Sequence, residues 1–68
     1  MSRKIAKLTK LLEHWADHND SHKESFEKWR DFAGEQGLTN VEENLNKAIE
    51  MIDKSTEFLL KAHEEINK

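Results

Sequence analysis

Three of the four histidines in the chain follow one another at intervals of four residues: His14, His18 and His22. On an α-helix, residues four apart lie on one face, with their Cβ atoms about 5–6 Å apart. Two imidazoles at this spacing point the same way, and a neutral imidazole is a good ligand for divalent transition metals. The spacing therefore predicts a metal site at His18 and His22, with His14 as a further candidate. Nitrogen ligands suit zinc, nickel, cobalt or copper, and the sequence does not choose among these metals.

Each histidine also has a structural interpretation that needs no metal. His14 is expected on the outer surface of its helix, and His63 at the rim of the helix–helix contact. The other two histidines would then hydrogen-bond across that contact, to Asn19, Ser55 or Thr56. Ser21 lies close to His22 in the chain, but nothing suggests the orienting acid or oxyanion hole that serine–histidine catalysis needs. We therefore expect no enzyme activity.

Apolar residues recur at alternating intervals of three and four in each half of the chain, as in a coiled coil. We call each such row a seam. The seam of the first half is Ile5, Leu8, Leu12, Trp15, Asn19, His22, Phe26, Trp29 and Ala33. The seam of the second half is Val41, Leu45, Ala48, Ile52, Ser55, Leu59, Ala62 and Ile66. These rows predict an all-α protein of two amphipathic helices.

The segment between the two seams contains both glycines of the chain, Gly34 and Gly37. Glycine supplies the left-handed residue that often ends a helix. Thr39, with Glu42 three residues later, resembles a capping box that starts the next helix. These signals predict helices over about 3–35 and 40–67, joined by a glycine loop at about 36–39, within a single domain of residues 1–68.

A second capping-box pattern, Ser21 with Glu24, favours a different architecture. It would break the first helix near 18–21 and give a three-helix bundle. The seam, however, passes through residues 18–21 without a change of phase. The sequence therefore favours an antiparallel helical hairpin over three helices.

Folding the chain back at the glycine loop places Asn19 opposite Ser55, in one polar layer next to His22. Polar residues within a seam usually fix the register and the choice of partner. Further apolar residues flank the seam on one side, and a hairpin alone cannot cover them. We therefore expect a homodimer that forms a four-helix bundle, with His18 and His22 near its two-fold axis. The expected dimer face contains Leu11, Phe32, Met51 and Phe58.

The composition limits the classes of molecule that the protein is expected to bind. A chain of 68 residues forms one domain at most, and its own core seldom supplies more than about 3–5 kcal/mol. The net charge of −3 argues against a nucleic-acid partner. No apolar run approaches the length of a membrane span, so no membrane partner is expected. There is no cysteine, and no export signal is visible, so we expect a cytoplasmic protein.

The run His14-Trp15-x-x-His18-Asn19-x-x-His22 resembles the core of a family of small uncharacterised helical domains found in archaea and anaerobic bacteria. The similarity extends over roughly residues 10–60 and includes Phe26 and Trp29. Some members of that family adjoin histidine-rich segments, which implies handling of nickel or cobalt. This chain has no such segment, which weakens the implication. Carried over to this sequence, the resemblance implies candidate metal positions at His14, His18, Asn19 and His22.

Two functions follow from these observations. The leading hypothesis is a small self-associating helical module that binds a divalent transition metal, zinc, nickel or cobalt, through the histidines of the first helix. The alternative is a purely structural oligomerisation or adaptor domain without a ligand, in which the polar layer of Asn19 and Ser55 only sets the register.

Overall fold

Two long antiparallel helices make up the computed structural model, which describes residues 2–67. Helix α1 spans Arg3–Glu35 and helix α2 spans Thr39–Ile66. The helices lie side by side in a hairpin that measures 53 × 15 × 12 Å. The expected all-α hairpin is therefore confirmed, and the single domain expected over 1–68 exceeds the described residues by one at each end. No helix within residues 2–67 is long and apolar enough to cross a membrane.

Helix α1 is continuous through residues 18–21, so the three-helix alternative is wrong. Its N-terminus is capped by Ser2, whose side chain accepts a hydrogen bond of 3.1 Å from the backbone N–H of Ile5. A cap of this kind satisfies one of the four N–H groups that the first turn leaves without a partner. Ser21 and Glu24 lie within the helix, where their spacing has no capping role.

The loop between the helices is a Schellman turn around Gly37. The N–H of Leu38 donates to the carbonyl of Ala33 at 2.9 Å, and the N–H of Gly37 donates to that of Gly34 at 3.1 Å. Gly37 has a φ of 72°, which is the left-handed conformation that this turn requires. Glycine was expected in this role. The capping box expected at Thr39 is wrong, because Leu38 occupies the cap position and makes no side-chain cap bond.

The side of each helix that faces its neighbour differs by one position from the expected seam. Leu12, Asn19, Phe26 and Ala33 are buried or half-buried as expected. At alternate positions, however, the contact uses Ala16, Lys23 and Arg30, and it leaves Trp15, His22 and Trp29 exposed. In α2 the same rotation leaves three expected residues, Val41, Ser55 and Ala62, exposed, while Ala48 stays half-buried. The row nearest α1 instead contains Glu42, Ile49, Thr56 and His63.

The physical reason lies in side-chain size and in the length of the basic side chains. Ala16 and Ala33 are 6% and 2% exposed, and such small residues let the helix backbones approach closely. The long stems of Lys23 and Arg30 can cross the contact while their charged ends reach polar partners on α2. Lys23 Nζ lies 2.7 Å from Asp53 Oδ1, and Arg30 donates to Asn46 Oδ1 at 3.2 Å. A tryptophan at either place would hold the helices apart.

The substitution Gly37→Ala should destabilise the hairpin by about 1–2 kcal/mol, because an L-residue with a side chain is strained in the left-handed conformation. The matched control is Gln36→Ala, one residue earlier, where φ is −85° and alanine is unstrained. Urea unfolding followed by circular dichroism measures both variants. Equal stabilities for the two variants would contradict the assigned turn.

Candidate functional site

Helix α1 arranges the three histidines and Phe26 as a row of neighbouring rings along its outer side. The ring centroids of His14 and His18 are 6.0 Å apart and the rings are stacked. Those of His18 and His22 are 4.4 Å apart with perpendicular rings, and those of His22 and Phe26 are 6.1 Å apart. All three histidines are exposed. The spacing of four residues therefore produces the ring-to-ring proximity that the sequence predicts.

His18 and His22 form the closest pair in this row. Their Nε2 atoms lie 2.9 Å apart, within hydrogen-bonding distance. One of the two nitrogens must then carry a proton and donate, while the other accepts through its lone pair. Two protonated rings would bring two N–H donors face to face, so the contact requires at least one neutral imidazole. The neutral form of an imidazole is also the form that binds metal ions.

The remaining candidate ligands are not brought to this pair. No group of three or more histidine, aspartate or glutamate side chains within residues 2–67 has the arrangement needed to hold a metal ion. His63 lies elsewhere: its Nε2 is 2.9 Å from Glu13 Oε1 and its Nδ1 is 3.1 Å from Asn67 Nδ2. Both ring nitrogens of His63 are thus engaged at the rim of the helix contact, where the sequence predicted this residue. The described part of the chain therefore brings two imidazoles together at His18 and His22 and adds no third candidate ligand.

Asn19 connects the two helices beside the histidine pair. Its Nδ2 donates to Ser55 Oγ at 3.2 Å and to Thr56 Oγ1 at 3.3 Å. The polar layer thus brings together the two residues that the sequence placed opposite each other, and it adds Thr56. His18 and His22 do not supply the hydrogen bonds expected across the helix contact, because they pair with each other on the outer side of α1.

An ion pair between α1 and α2 lies one turn from the layer of Asn19. The pKa of Lys23 is raised because its ammonium donates a hydrogen bond to the Asp53 carboxylate and is attracted by its charge. While Asp53 is ionised, a raised lysine pKa stabilises the fold below the ordinary lysine value of about 10.4, and this contribution is lost as the pH rises through the higher folded-state value. The contribution therefore does not change around neutral pH.

Around the histidine pair, one side of the hairpin exposes large apolar side chains from both helices. We call this side the open face. In α1 its residues are Leu8, Trp15, Trp29 and Phe32, and in α2 they are Val41, Met51 and Phe58, all between 41% and 63% exposed. Leu11 borders this set and is half-buried. His18 and His22 belong to the same two heptad rows of α1 and lie at mid-length between Leu8 and Phe32.

The open face includes the expected dimer-face residues Leu11, Phe32, Met51 and Phe58. It also includes residues that the sequence analysis had assigned to the helix–helix contact: Leu8, Trp15, Trp29 and Val41. The heptad spacing of these four residues was visible in the sequence. The signal in α1 that distinguishes the two rows is the alanine at 16, a small residue that lets two helices approach closely.

The chain belongs to the family described as Domain of unknown function (DUF8180), whose family model matches residues 8–66. This confirms the expected membership in a small domain family of uncharacterised function, while the histidine core and its metal remain predictions. No curated protein and no solved structure matches the chain.

The double variant Asn19→Leu, Ser55→Ala should be more stable than the wild type, because it replaces two polar side chains of a helix contact by apolar ones and leaves only the Thr56 hydroxyl without its donor. We expect a gain of about 1 kcal/mol in urea unfolding, and a less uniform oligomeric state in sedimentation velocity. Asn19→Leu alone is the control, since it leaves the Ser55 hydroxyl without its donor. A double variant that is less stable than this single variant would show that the layer acts as more than a register device.

Proposed function

We propose that this protein is a small self-associating helical module that binds a divalent transition metal ion at His18 and His22. The observation that carries this proposal is the 2.9 Å separation of the two Nε2 atoms at the middle of an exposed apolar face. A histidine pair among charged, solvent-exposed side chains would be an ordinary surface feature. A pair with converging nitrogens, surrounded by side chains that a partner would cover, is suited to hold an ion between chains.

The distance between the two nitrogens bears on the kind of metal. Imidazole nitrogens bind such ions at about 2.0–2.1 Å, so nitrogens 2.9 Å apart would subtend an angle of about 90° at the metal. Tetrahedral zinc prefers a wider angle, of about 109°. Nickel in tetragonal sites accepts right angles between neighbouring ligands. The pair at this separation therefore suits nickel or copper, with cobalt as a further candidate, and tetrahedral zinc would need the two nitrogens to move further apart.

Self-association rests on the shortage of buried surface in one hairpin. Within residues 2–67, only Leu12, Ala16, Ala33 and Ile49 are buried, whereas ten large apolar side chains are exposed. A chain of this length is marginally stable even with a well-formed core. A second copy placed on the open face would cover apolar groups of both chains at once, as in four-helix bundles. It would also bring a second histidine pair to the same layer and complete a set of four nitrogens.

The alternative, a structural oligomerisation or adaptor domain without a ligand, is favoured by a different observation. Asn19 satisfies its amide through Ser55 and Thr56, so the polar layer needs no ion to be complete. In that case, the histidine pair would be a proton-sharing contact at the edge of the interface, and metal ions would not change stability.

The metal proposal is tested by thermal unfolding of the untagged protein with and without nickel, cobalt or zinc. For an ion that binds only the folded state, stabilisation is about 2.7 kcal/mol when the free metal is 100 times Kd. This corresponds to a rise in Tm of roughly 10–20 °C for a domain of this size. The variant His18→Ala, His22→Ala should lose the rise. The matched control His14→Ala, His63→Ala, which also removes two histidines, should keep it.

Elemental analysis of protein purified without a chelator or a histidine tag complements this measurement. A wild-type Tm indifferent to all three metals at neutral pH would refute the metal site. A rise that survives His18→Ala, His22→Ala but disappears in the control variant would place the site at His14 or His63.

Self-association is tested by sedimentation equilibrium at micromolar concentration, where the expected mass is twice the 8.0 kDa of one chain. Phe58→Glu should shift the protein towards monomer, because it places a charge on the open face. Leu60→Glu is the matched control: Leu60 is 50% exposed on α2, but its heptad position lies on the opposite side of that helix. A monomeric wild type would contradict the proposal, and so would an equal effect of both variants.

A further inference from the structure

We infer that two copies of this chain pair through their open faces with their loops at opposite ends, so that α1 packs directly against the partner's α1. The inference rests on the proposed self-association and adds the orientation of the partner. Two hairpins stacked face to face have two symmetric arrangements. A two-fold axis along the helices places both loops at one end and α1 against α2. An axis across the helices reverses one hairpin and places α1 against α1.

The first argument is that the exposed row of α1 is complementary to itself when reversed. The α1 residues that form or border the open face are Leu8, Leu11, Trp15, His18, His22, Ser25, Trp29 and Phe32. Reversal about a point near residue 20 pairs Leu8 with Phe32 and Leu11 with Trp29. It pairs Trp15 with Ser25, one of the largest residues with one of the smallest. Each of these three pairs thus combines a larger and a smaller side chain, which favours close packing of helices.

The same reversal brings the histidine pairs together. It places His18 opposite the partner's His22, and His22 opposite the partner's His18, in two layers next to the axis. Because α1 and the partner's α1 are direct neighbours, four imidazoles meet along one contact. In the arrangement with both loops at one end, the two α1 helices are diagonal across the bundle, and each histidine pair faces α2 of the other chain instead. The reversed arrangement is therefore the one that places four nitrogens in adjacent layers of a single helix–helix contact.

The second argument is electrostatic and independent of the packing. The end of the hairpin away from the loop is basic: residues 2–12 and 60–67 together carry five basic and two acidic side chains, a net charge of +3. The loop end is acidic: residues 31–46 carry four acidic and no basic side chains, a net charge of −4. Reversed hairpins place each basic end over an acidic end. The arrangement with both loops together would stack like charges at both ends.

One pair of charges flanks the proposed contact directly. Lys7 and Glu35 belong to the heptad row of α1 that borders the open face, and reversal places Lys7 near the partner's Glu35. In the reversed arrangement α2 lies against the partner's α2, so the row of Lys47, Lys54 and Lys61, which borders the open face, lies opposite the same row of the partner. This repulsion opposes the reversed arrangement, whereas the charges at the two ends and the contact between the histidine pairs favour it.

The orientation is tested by spin-label distances, since the chain has no native cysteine. A label at Gln36→Cys, in the loop, should give a distance near 50 Å between copies, because each label lies 16 residues from the axis at about 1.5 Å per residue. A label at Lys4→Cys, at the other end, should give a similar long distance. The arrangement with both loops at one end would bring either pair of labels within roughly 20 Å, about two helix diameters.

A third label separates failure of the orientation from failure of self-association. Ser21→Cys lies next to the axis and should give a short distance, under about 25 Å, in either arrangement. Short distances at all three positions would overturn the orientation and leave self-association intact. The absence of a defined distance at all three positions would overturn self-association itself.

Salt provides a second readout of the same inference. If opposite ends attract, raising the salt concentration from 50 mM to 500 mM should weaken the wild-type dimer several-fold, because the charges are exposed and screened. The reversal variant Lys7→Glu should weaken association at low salt, and Lys7→Glu combined with Glu35→Lys should restore it. Dimerisation that strengthens with salt would contradict the orientation, because that behaviour is expected when like charges are stacked.

Discussion

The contact between the two helices is too small to bury the apolar surface that the sequence carries, and the other features of the molecule depend on this constraint. Two helices share one line of contact, and here, beside its leucines, isoleucines and Phe26, part of that line is taken up by alanines, a polar layer and the stems of Lys23 and Arg30. Such residues allow close approach and fix the register, but they remove little apolar surface from water. The tryptophans of α1, together with Met51 and Phe58 of α2, lie on the open face instead. The composition of the helix contact is therefore the physical basis for the proposed self-association.

Much of the fold was predictable because its determinants are local. The alternation of three and four residues predicts two helices, the unbroken phase through residues 18–21 excludes a third, and Gly37 marks the turn. The rotation of the seam by one position was not predictable from periodicity. The row that α1 uses contains Ala16, Lys23 and Arg30, of which only Ala16 is apolar, so ranking the rows by hydrophobicity selected the neighbouring row with Trp15 and Trp29. Backbone proximity instead selected the row with Ala16, since the separation between two helices depends on the smallest side chains between them.

The candidate site also has features set by local spacing and features set by the contact between the helices. The i, i+4 spacing alone predicts that His18 and His22 are neighbours, and their separation of 2.9 Å agrees with it. What surrounds the pair depends on the rotation of the seam. Had α1 used His22 in the helix contact, as expected, the ring would have competed with Asn19 for Ser55 and Thr56. The rotation leaves those groups to Asn19 and frees the histidine nitrogens for each other.

Association and metal binding are coupled in the proposed arrangement. If each chain supplies two nitrogens, an ion that binds all four favours the dimer by its differential affinity for the paired state, and the dimer raises the affinity for the ion by the same factor. Protons oppose both, because a protonated imidazole can neither bind a metal nor accept its neighbour's hydrogen bond. A hairpin that buries little of its own apolar surface is suited to such coupling, because an ion can then still shift the equilibrium between monomer and dimer.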